Sequence, residues 1–317
     1  MEIAGIKPRF EPQYAKKCRR RHPRVADLPV PFHKTPVFFH NQNPVRTMND
    51  TRVPILLSPK QLLRLKNKPS ILLVDTRPFP DYQKEHLPHA VNLPLLYYHW
   101  TDTSPEGIKA FNHHMQRVLA FTGVSNRKHV IFYEDNTGMS ASRGVWLLHY
   151  YGHNKTSLLD GGLRAWKKAG YKTTTETVPT KPAKFQAKLH PEVLANISQV
   201  NMSLNDKNTT LLDVRSPEEY NGTLARAARR GHVPNARNVN WERSITRQGT
   251  FKPLAKLEQL YKNADIRQDR EIITYCQGGY RAAQTYIALK LLGYPRVRNY
   301  LGSWFEWGNT LSASVEK

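Results

Sequence analysis

The residues that could do chemistry in this chain concentrate in one short run, Cys276-Gln277-Gly278-Gly279-Tyr280-Arg281. A thiol precedes two glycines with one glutamine between, and a guanidinium stands five positions on. The run Glu271–Tyr275 before it reads as a buried strand. After it, Ala283, Ile287 and Leu291 recur at four-residue spacing and Gly293 stands where a C-terminal cap belongs, so 281–292 reads as a helix. A strand-to-helix turn of this kind sits at the carboxyl end of an α/β sheet, where ligands bind. Gly278 and Gly279 let the backbone curl tightly, so that loop N–H groups ring the sulfur and the helix start adds its positive end. That environment favours a thiolate, the nucleophilic form of cysteine. Arg281 can fix an anion or help hold the loop's charge. The plain alternatives are a small buried residue for Cys276 and a solvated arginine for Arg281; the glycines and the arginine around the thiol favour the reactive reading.

The elements that must position this loop occur twice. The first half carries Ile71-Leu-Leu-Val-Asp75-Thr-Arg77, His86-Leu-Pro-His-Ala, Val130-Ile-Phe-Tyr-Glu134 and Leu159-Asp-Gly-Gly-Leu-Arg-Ala-Trp166. The second carries Leu211-Leu-Asp213-Val-Arg215, His232-Val-Pro-Asn-Ala, Ile272-Ile-Thr-Tyr-Cys276 and Tyr300-Leu-Gly-Ser-Trp-Phe-Glu-Trp307. A shift of 141 places Gly293 on Gly152, Trp307 on Trp166 and Cys276 on Asp135. The chain is read as a duplication. Short apolar runs at 71–75, 130–134, 211–214 and 271–275 alternate with amphipathic stretches, the pattern of βα units around a parallel sheet. The Thr- and Pro-rich stretch 172–185 reads as the connection between the halves.

Composition narrows the function classes. The 317 residues suffice for two domains, and 39% hydrophobic with 23% charged content suits a soluble globular chain. No stretch approaches the ~18 apolar residues of a membrane span. The net charge of +23 draws anions, but no zinc-finger spacing, RNA-binding signature or basic-striped helix favours nucleic acid. A small anionic substrate is preferred. Two cysteines, Cys18 and Cys276, are too few for a disulfide framework, and neither has histidines at ligand spacing. Neither metal nor cofactor is expected. Lone thiols suit a reducing compartment, so the expected location is cytoplasmic, or the mitochondrial matrix in a eukaryote, and the expected state is a monomer. Residues 1–49 are basic and interrupted by seven prolines; a disordered leader or a misassigned extension is expected there.

The ensemble of motifs resembles the rhodanese family over residues 50 to 310: Asp213-Val-Arg215 after a strand, the His232-Val-Pro-Asn-Ala segment, the Cys276 loop and the closing Gly302-Ser-Trp-Phe-Glu-Trp307. The resemblance implies an α/β fold of two rhodanese-like domains, each a parallel β-sheet flanked by α-helices. The boundaries expected are an inactive domain over 50–171, a linker over 172–188 and a catalytic domain over 189–317. It implies a ping-pong sulfur transfer in which Cys276 takes sulfur from thiosulfate and passes it, as a persulfide, to cyanide or a thiol. Gln277, Gly278, Gly279, Tyr280 and Arg281 would form the active-site loop. Asp213 and Arg215 would brace the cleft, as Asp75 and Arg77 would in the first half, while His86 and His232 would serve as hydrogen-bonding loop residues.

The loop departs from both tandem subgroups. It lacks the lysine of the Cys-Arg-Lys-Gly-Val-Thr loop of thiosulfate enzymes, and Gly278 stands where mercaptopyruvate enzymes have serine. The missing hydroxyl weakens 3-mercaptopyruvate as donor, while Arg281 can restore a charge for thiosulfate. Glu219 precedes Tyr220 where the family has a donor-binding arginine, and Arg226, Arg229 and Arg230 lie in an insertion that could reach the cleft, though a solvated loop is the plainer reading. A cysteine phosphatase of related fold has five residues between Cys and Arg; here four intervene, a ring suited to one sulfur atom. A persulfide carrier serving a protein acceptor, docked through the basic surface, stays open as the alternative.

Overall fold

The computed structural model describes residues 53–317. Cys18 and the leader over 1–49 lie outside the described residues. Each half folds as five parallel strands. The first sheet contains β1 (Leu56–Leu57), β2 (Ile71–Asp75), β3 (Val91–Asn92), β4 (His129–Tyr133) and β5 (Thr156–Leu159), in the order β1-β5-β4-β2-β3. The second contains β6 (Leu194–Ala195), β7 (Thr209–Asp213), β8 (Arg237–Asn238), β9 (Glu271–Tyr275) and β10 (Val297–Tyr300), in the matching order β6-β10-β9-β7-β8. The helices of the first half are α1 (Pro59–Leu65), α2 (Phe79–Lys84), α3 (Pro105–Thr122), α4 (Met139–Tyr150) and α5 (Gly162–Lys168). Those of the second are α6 (Ile197–Ser203), α7 (Pro217–Tyr220), α8 (Leu254–Asn263), α9 (Tyr280–Leu291) and α10 (Ser303–Asn309).

Strand alternation sorts the apolar residues into layers. Val130 and Phe132 of β4 enter a central core, while Ile131 and Tyr133 face an outer one with Leu62, Leu163 and Trp166. In the second half Ile272 faces the same central core, and Ile273 and Tyr275 face an outer core with Trp304 and Trp307. The central core draws on both halves, so Trp146 of α4 and Tyr286 of α9 belong to one apolar cluster. Hydrophobic burial on that scale holds the two sheets as one body. The connection after residue 171 runs over the first half, with Ala183 N–H donating to the Ala120 carbonyl at 2.8 Å and Lys188 N–H to that of Tyr151 at 3.1 Å.

Helix starts follow local chemistry. Ser58 with Gln61, Asn196 with Gln199 and Ser216 with Glu219 form capping boxes at α1, α6 and α7. Gly293 lies at φ +82°, the left-handed conformation that ends a helix, just past α9. The ladder also corrects the repeat alignment. Asp75 pairs with Tyr133 and Asp213 with Tyr275, so the residue matching Cys276 is Glu134, not Asp135. The following helices start at Met139 and Tyr280, which makes the first loop one residue longer than the second. A single shift cannot register both sides of that insertion. Strand β4 accordingly ends at Tyr133, one residue before the expected Glu134.

Candidate active site

Strand β9 delivers Cys276 to the head of α9, where the thiol is 1% exposed. Gly279 takes φ +79°, which turns its N–H back onto the Cys276 Sγ at 3.1 Å. A Cβ there would stand 2.6 Å from Arg143 Nη1 and 3.0 Å from the Leu301 carbonyl, so this position needs glycine on two counts. The Cys276 N–H donates to Ser303 Oγ at 3.2 Å. The first amides of α10 hold the loop from behind, with Trp304 N–H on the Cys276 carbonyl and Phe305 N–H on that of Gln277, both at 2.9 Å. Gln277 Nε2 donates to the Arg226 carbonyl at 2.7 Å, and Tyr280 OH to the Leu95 carbonyl of the first domain at 2.8 Å. Cys276, Gln277, Gly279 and Tyr280 are thereby each held by hydrogen bonds.

Arg281 does not stand free at the mouth. Its guanidinium makes a two-pronged ion pair with Glu219, at 2.6 and 2.9 Å, and Arg226 Nε approaches the same carboxylate at 3.2 Å. Glu219 is 2% exposed. Burial opposes its charge, but the hydrogen bond and charge of Arg281 hold its carboxyl below the ordinary range. Burial likewise works against the Arg281 charge, and the Glu219 bond and nearby Cys276 outweigh it, so its pKa rises. Glu219, read in the sequence as a lost donor contact, is therefore the partner that fixes Arg281. Of the inserted arginines, Arg229 donates to the carbonyls of Trp307, Gly308, Thr310 and Ala313 beyond α10, whereas Arg226 stays exposed beside the mouth.

The supporting residues sit beneath the cleft. Arg215 Nε reaches both Asp213 oxygens at 3.0 Å and Nη2 reaches Oδ2 at 2.5 Å, with the guanidinium 4.4 Å above the Trp304 ring. His232 stacks on Tyr220 at 3.7 Å, and its Nδ1 meets the Tyr220 carbonyl at 3.0 Å. His86 repeats this on Tyr82 in the first domain.

The first domain's equivalent loop is filled from within. Glu134 occupies the cysteine position, and its Oε1 accepts from Ser140 and Ala141 N–H at 2.8 and 2.9 Å, at the head of α4. Enclosure of the carboxyl raises its pKa to about 7 against these helpful amides. Asp135 instead points outward, 63% exposed, and pairs with Arg77 at 3.1 Å. From the second domain, the Gly249 carbonyl accepts from Thr137 N–H at 2.7 Å and seals the loop.

Contacts across the domain interface were invisible in the sequence. His99 of the first domain lies over Gly278, where any Cβ would collide with the imidazole, and it stacks on Tyr280 and meets Phe305 edge-on. Burial and the Arg143 charge push its pKa down. A side chain at 278, serine included, is incompatible with His99 in this place. Ser303, Asn299 and Arg143 also escaped the sequence reading; only Ser303, inside the quoted Gly-Ser-Trp run, carried any signal.

A family model for the rhodanese-like domain matches residues 58–169 and again 197–310, most of the chain. The chain belongs to the rhodanese family of sulfurtransferases. Among its relatives, a thiosulfate sulfurtransferase of Pseudomonas aeruginosa is 30% identical over 264 residues, covering 83% of this chain and 97% of that one. The sulfur carrier protein TtuD of Thermus thermophilus is 30% identical over 249 residues, covering 74% and 87%. A putative thiosulfate sulfurtransferase of Haloferax volcanii is 38% identical over 210 residues, covering 63% and 73%. Among solved structures, an anaerobic ergothioneine biosynthesis enzyme of Chlorobium limicola superposes with a TM-score of 0.75 at 22% identity, covering 83% of this chain and 70% of that one, a likeness of fold. The rhodanese assignment covers both halves, the Glu134 loop and the Cys276 loop alike. Among the described residues no helix of this rhodanese is long and apolar enough to cross a membrane.

Proposed function

We propose that this rhodanese moves sulfane sulfur from thiosulfate to cyanide or a thiol through a persulfide on Cys276, and that its first domain transfers none. The observation that carries the reading is the Gly279 N–H aimed at the Cys276 Sγ from 3.1 Å, in a buried four-residue ring at a helix start. Such a ring has an N–H donor for a charged sulfur and no room for a phosphate. The thiolate attacks the outer sulfur of thiosulfate, the S–S bond of the donor breaks, and sulfite departs with the electron pair. The acceptor then attacks the outer sulfur of the persulfide, and Cys276 leaves as the thiolate that began the cycle. Arg226 and Arg281, sharing Glu219, give the mouth a net positive charge that suits a dianionic donor.

Thiosulfate is favoured over 3-mercaptopyruvate because Gly278, beneath the His99 ring, supplies no hydroxyl to the loop. A carrier that hands the persulfide to a protein is a second reading, favoured by the similarity to a sulfur carrier protein and by Arg226, exposed beside the mouth. The test is a side-by-side assay of both donors with cyanide, for the parent and Cys276→Ser. Thiocyanate from thiosulfate in the parent alone is expected. Equal product from the variant would remove Cys276 from the chemistry, and product from mercaptopyruvate only would reverse the donor assignment.

A further inference from the structure

Arg143 of α4 is the odd member among the buried arginines. Arg77 and Arg215 each hold a carboxylate, and so does Arg281. Arg143 is 3% exposed, and among the described residues no carboxylate lies within ion-pair distance of it. Its Nη1 donates to the Gly279 carbonyl at 3.1 Å, while its Nη2 is buried without a hydrogen-bond partner. The guanidinium lies 4.4 Å from the Trp146 ring centre and 5.0 Å from that of Tyr280. Those ring faces soften the cost of burying a cation but supply no counter-charge. A buried charge without one is costly.

The missing anion is close by. The Gly279 peptide links the two sites: its carbonyl faces Arg143 and its N–H faces the Cys276 sulfur. We propose that Arg143, from the domain without a nucleophile, is a positioning residue of the sulfur site, its buried charge balancing the negative sulfur of Cys276 across the Gly279 peptide. This rests on the reading of Cys276 as the sulfur-bearing group. Asn299 Nδ2 holds the same carbonyl at 2.8 Å without a charge, which separates geometry from electrostatics. The other charged or titratable groups around the loop are Arg281 with Glu219 and Arg226 at the mouth, Asp213 with Arg215 beneath it, and His99 and Tyr280 above it. The Arg281 charge is taken by Glu219 and the Arg215 charge by Asp213. Burial lowers the pKa of Arg143, while Tyr280 and Cys276 act in the opposite sense when charged.

The experiment follows iodoacetamide alkylation of Cys276 against pH by peptide mass spectrometry, in the full chain, for the parent, Arg143→Met, Arg143→Gln and Asn299→Ala. Arg143→Gln keeps a donor for the Gly279 carbonyl and loses only the charge, so it serves if the methionine variant does not fold. Both uncharged variants are expected to be alkylated about tenfold more slowly at neutral pH. Asn299→Ala is expected to leave the pH profile in place. An unchanged profile in a folded Arg143→Gln, or an equal displacement in Asn299→Ala, would overturn the proposal. The readout needs no sulfur donor, so a parent inactive with thiosulfate would sink the donor assignment and leave this result standing.

Discussion

The two strand-to-helix loops have the same ancestry and opposite solutions for the charge at a helix start. In the first domain the Glu134 carboxyl fills the cradle, accepting from Ser140 and Ala141 N–H. In the second, a shorter loop leaves the cradle to a single sulfur atom under the Gly279 N–H. The carboxyl oxygen accepts from the amides whether or not the group is protonated; a sulfur is a strong acceptor only while charged, and a persulfide can be exchanged. The difference teaches that a loop without the thiol still needs an acceptor for the amides at its helix start. Glu134 gives the Ser140 and Ala141 amides a resident acceptor, and the second domain's Gly249 carbonyl takes the Thr137 N–H. The first domain also shapes the surroundings of the Cys276 loop, through His99 over Gly278 and Arg143 behind Gly279.

The largest losses of stability are expected at the bracing pairs. Asp213→Ala strands Arg215, which is 1% exposed, and is expected to cost about 3–5 kcal/mol in urea unfolding. Asp75→Ala is expected to cost about 1 kcal/mol less, because Arg77 keeps Asp135 at 3.1 Å. Equal losses would mean that Asp135 contributes nothing to holding Arg77.

The two glycines heading the helices come next. Gly279→Ala forces a side chain into φ +79° against Arg143, and an approximately 100-fold loss of sulfur transfer is expected as the amide turns away from the sulfur. Gly138, its counterpart, has an extended backbone at φ −101°, and a Cβ there meets the side chains of Glu134 and Asn136. Gly138→Ala should leave transfer within about twofold of the parent. Similar losses from both would show that the first loop takes part in catalysis.

The smallest effect concerns pH. The Glu134 carboxyl, raised from 4.5 to about 7 by enclosure, binds its proton more tightly folded than unfolded. Its contribution to stability is therefore complete below pH 4.5 and lost as the pH rises through about 7. Thermal unfolding of Glu134→Gln, which mimics the protonated form, should lose less stability than the parent over that interval, by on the order of 1–3 kcal/mol. Parallel pH curves for the two proteins would show that Glu134 does not titrate there.

The sequence carried the catalytic half of this comparison better than the silent half. Strands β2 and β9 fall on the expected 71–75 and 271–275, because apolar runs bounded by polar residues leave little freedom. Cys276 stood out because a thiol before two glycines has few structural uses. The first loop was misregistered onto Asp135 because a single inserted residue is hidden when every distant landmark fits one shift. Glu219 looked like a missing arginine and is an ion-pair partner, since the identity of a residue does not say what faces it. Arg143 and His99 reach the site across the domain interface, and no local pattern encodes a contact made by the other half of the chain.

The central claim is tested most directly by incubating the protein with thiosulfate, digesting it, and weighing the peptides that contain cysteine. One additional sulfur atom on the Cys276 peptide, none on the Cys18 peptide, and its removal by cyanide are the results expected. Thiocyanate formed while the Cys276 peptide never gains sulfur would contradict the account.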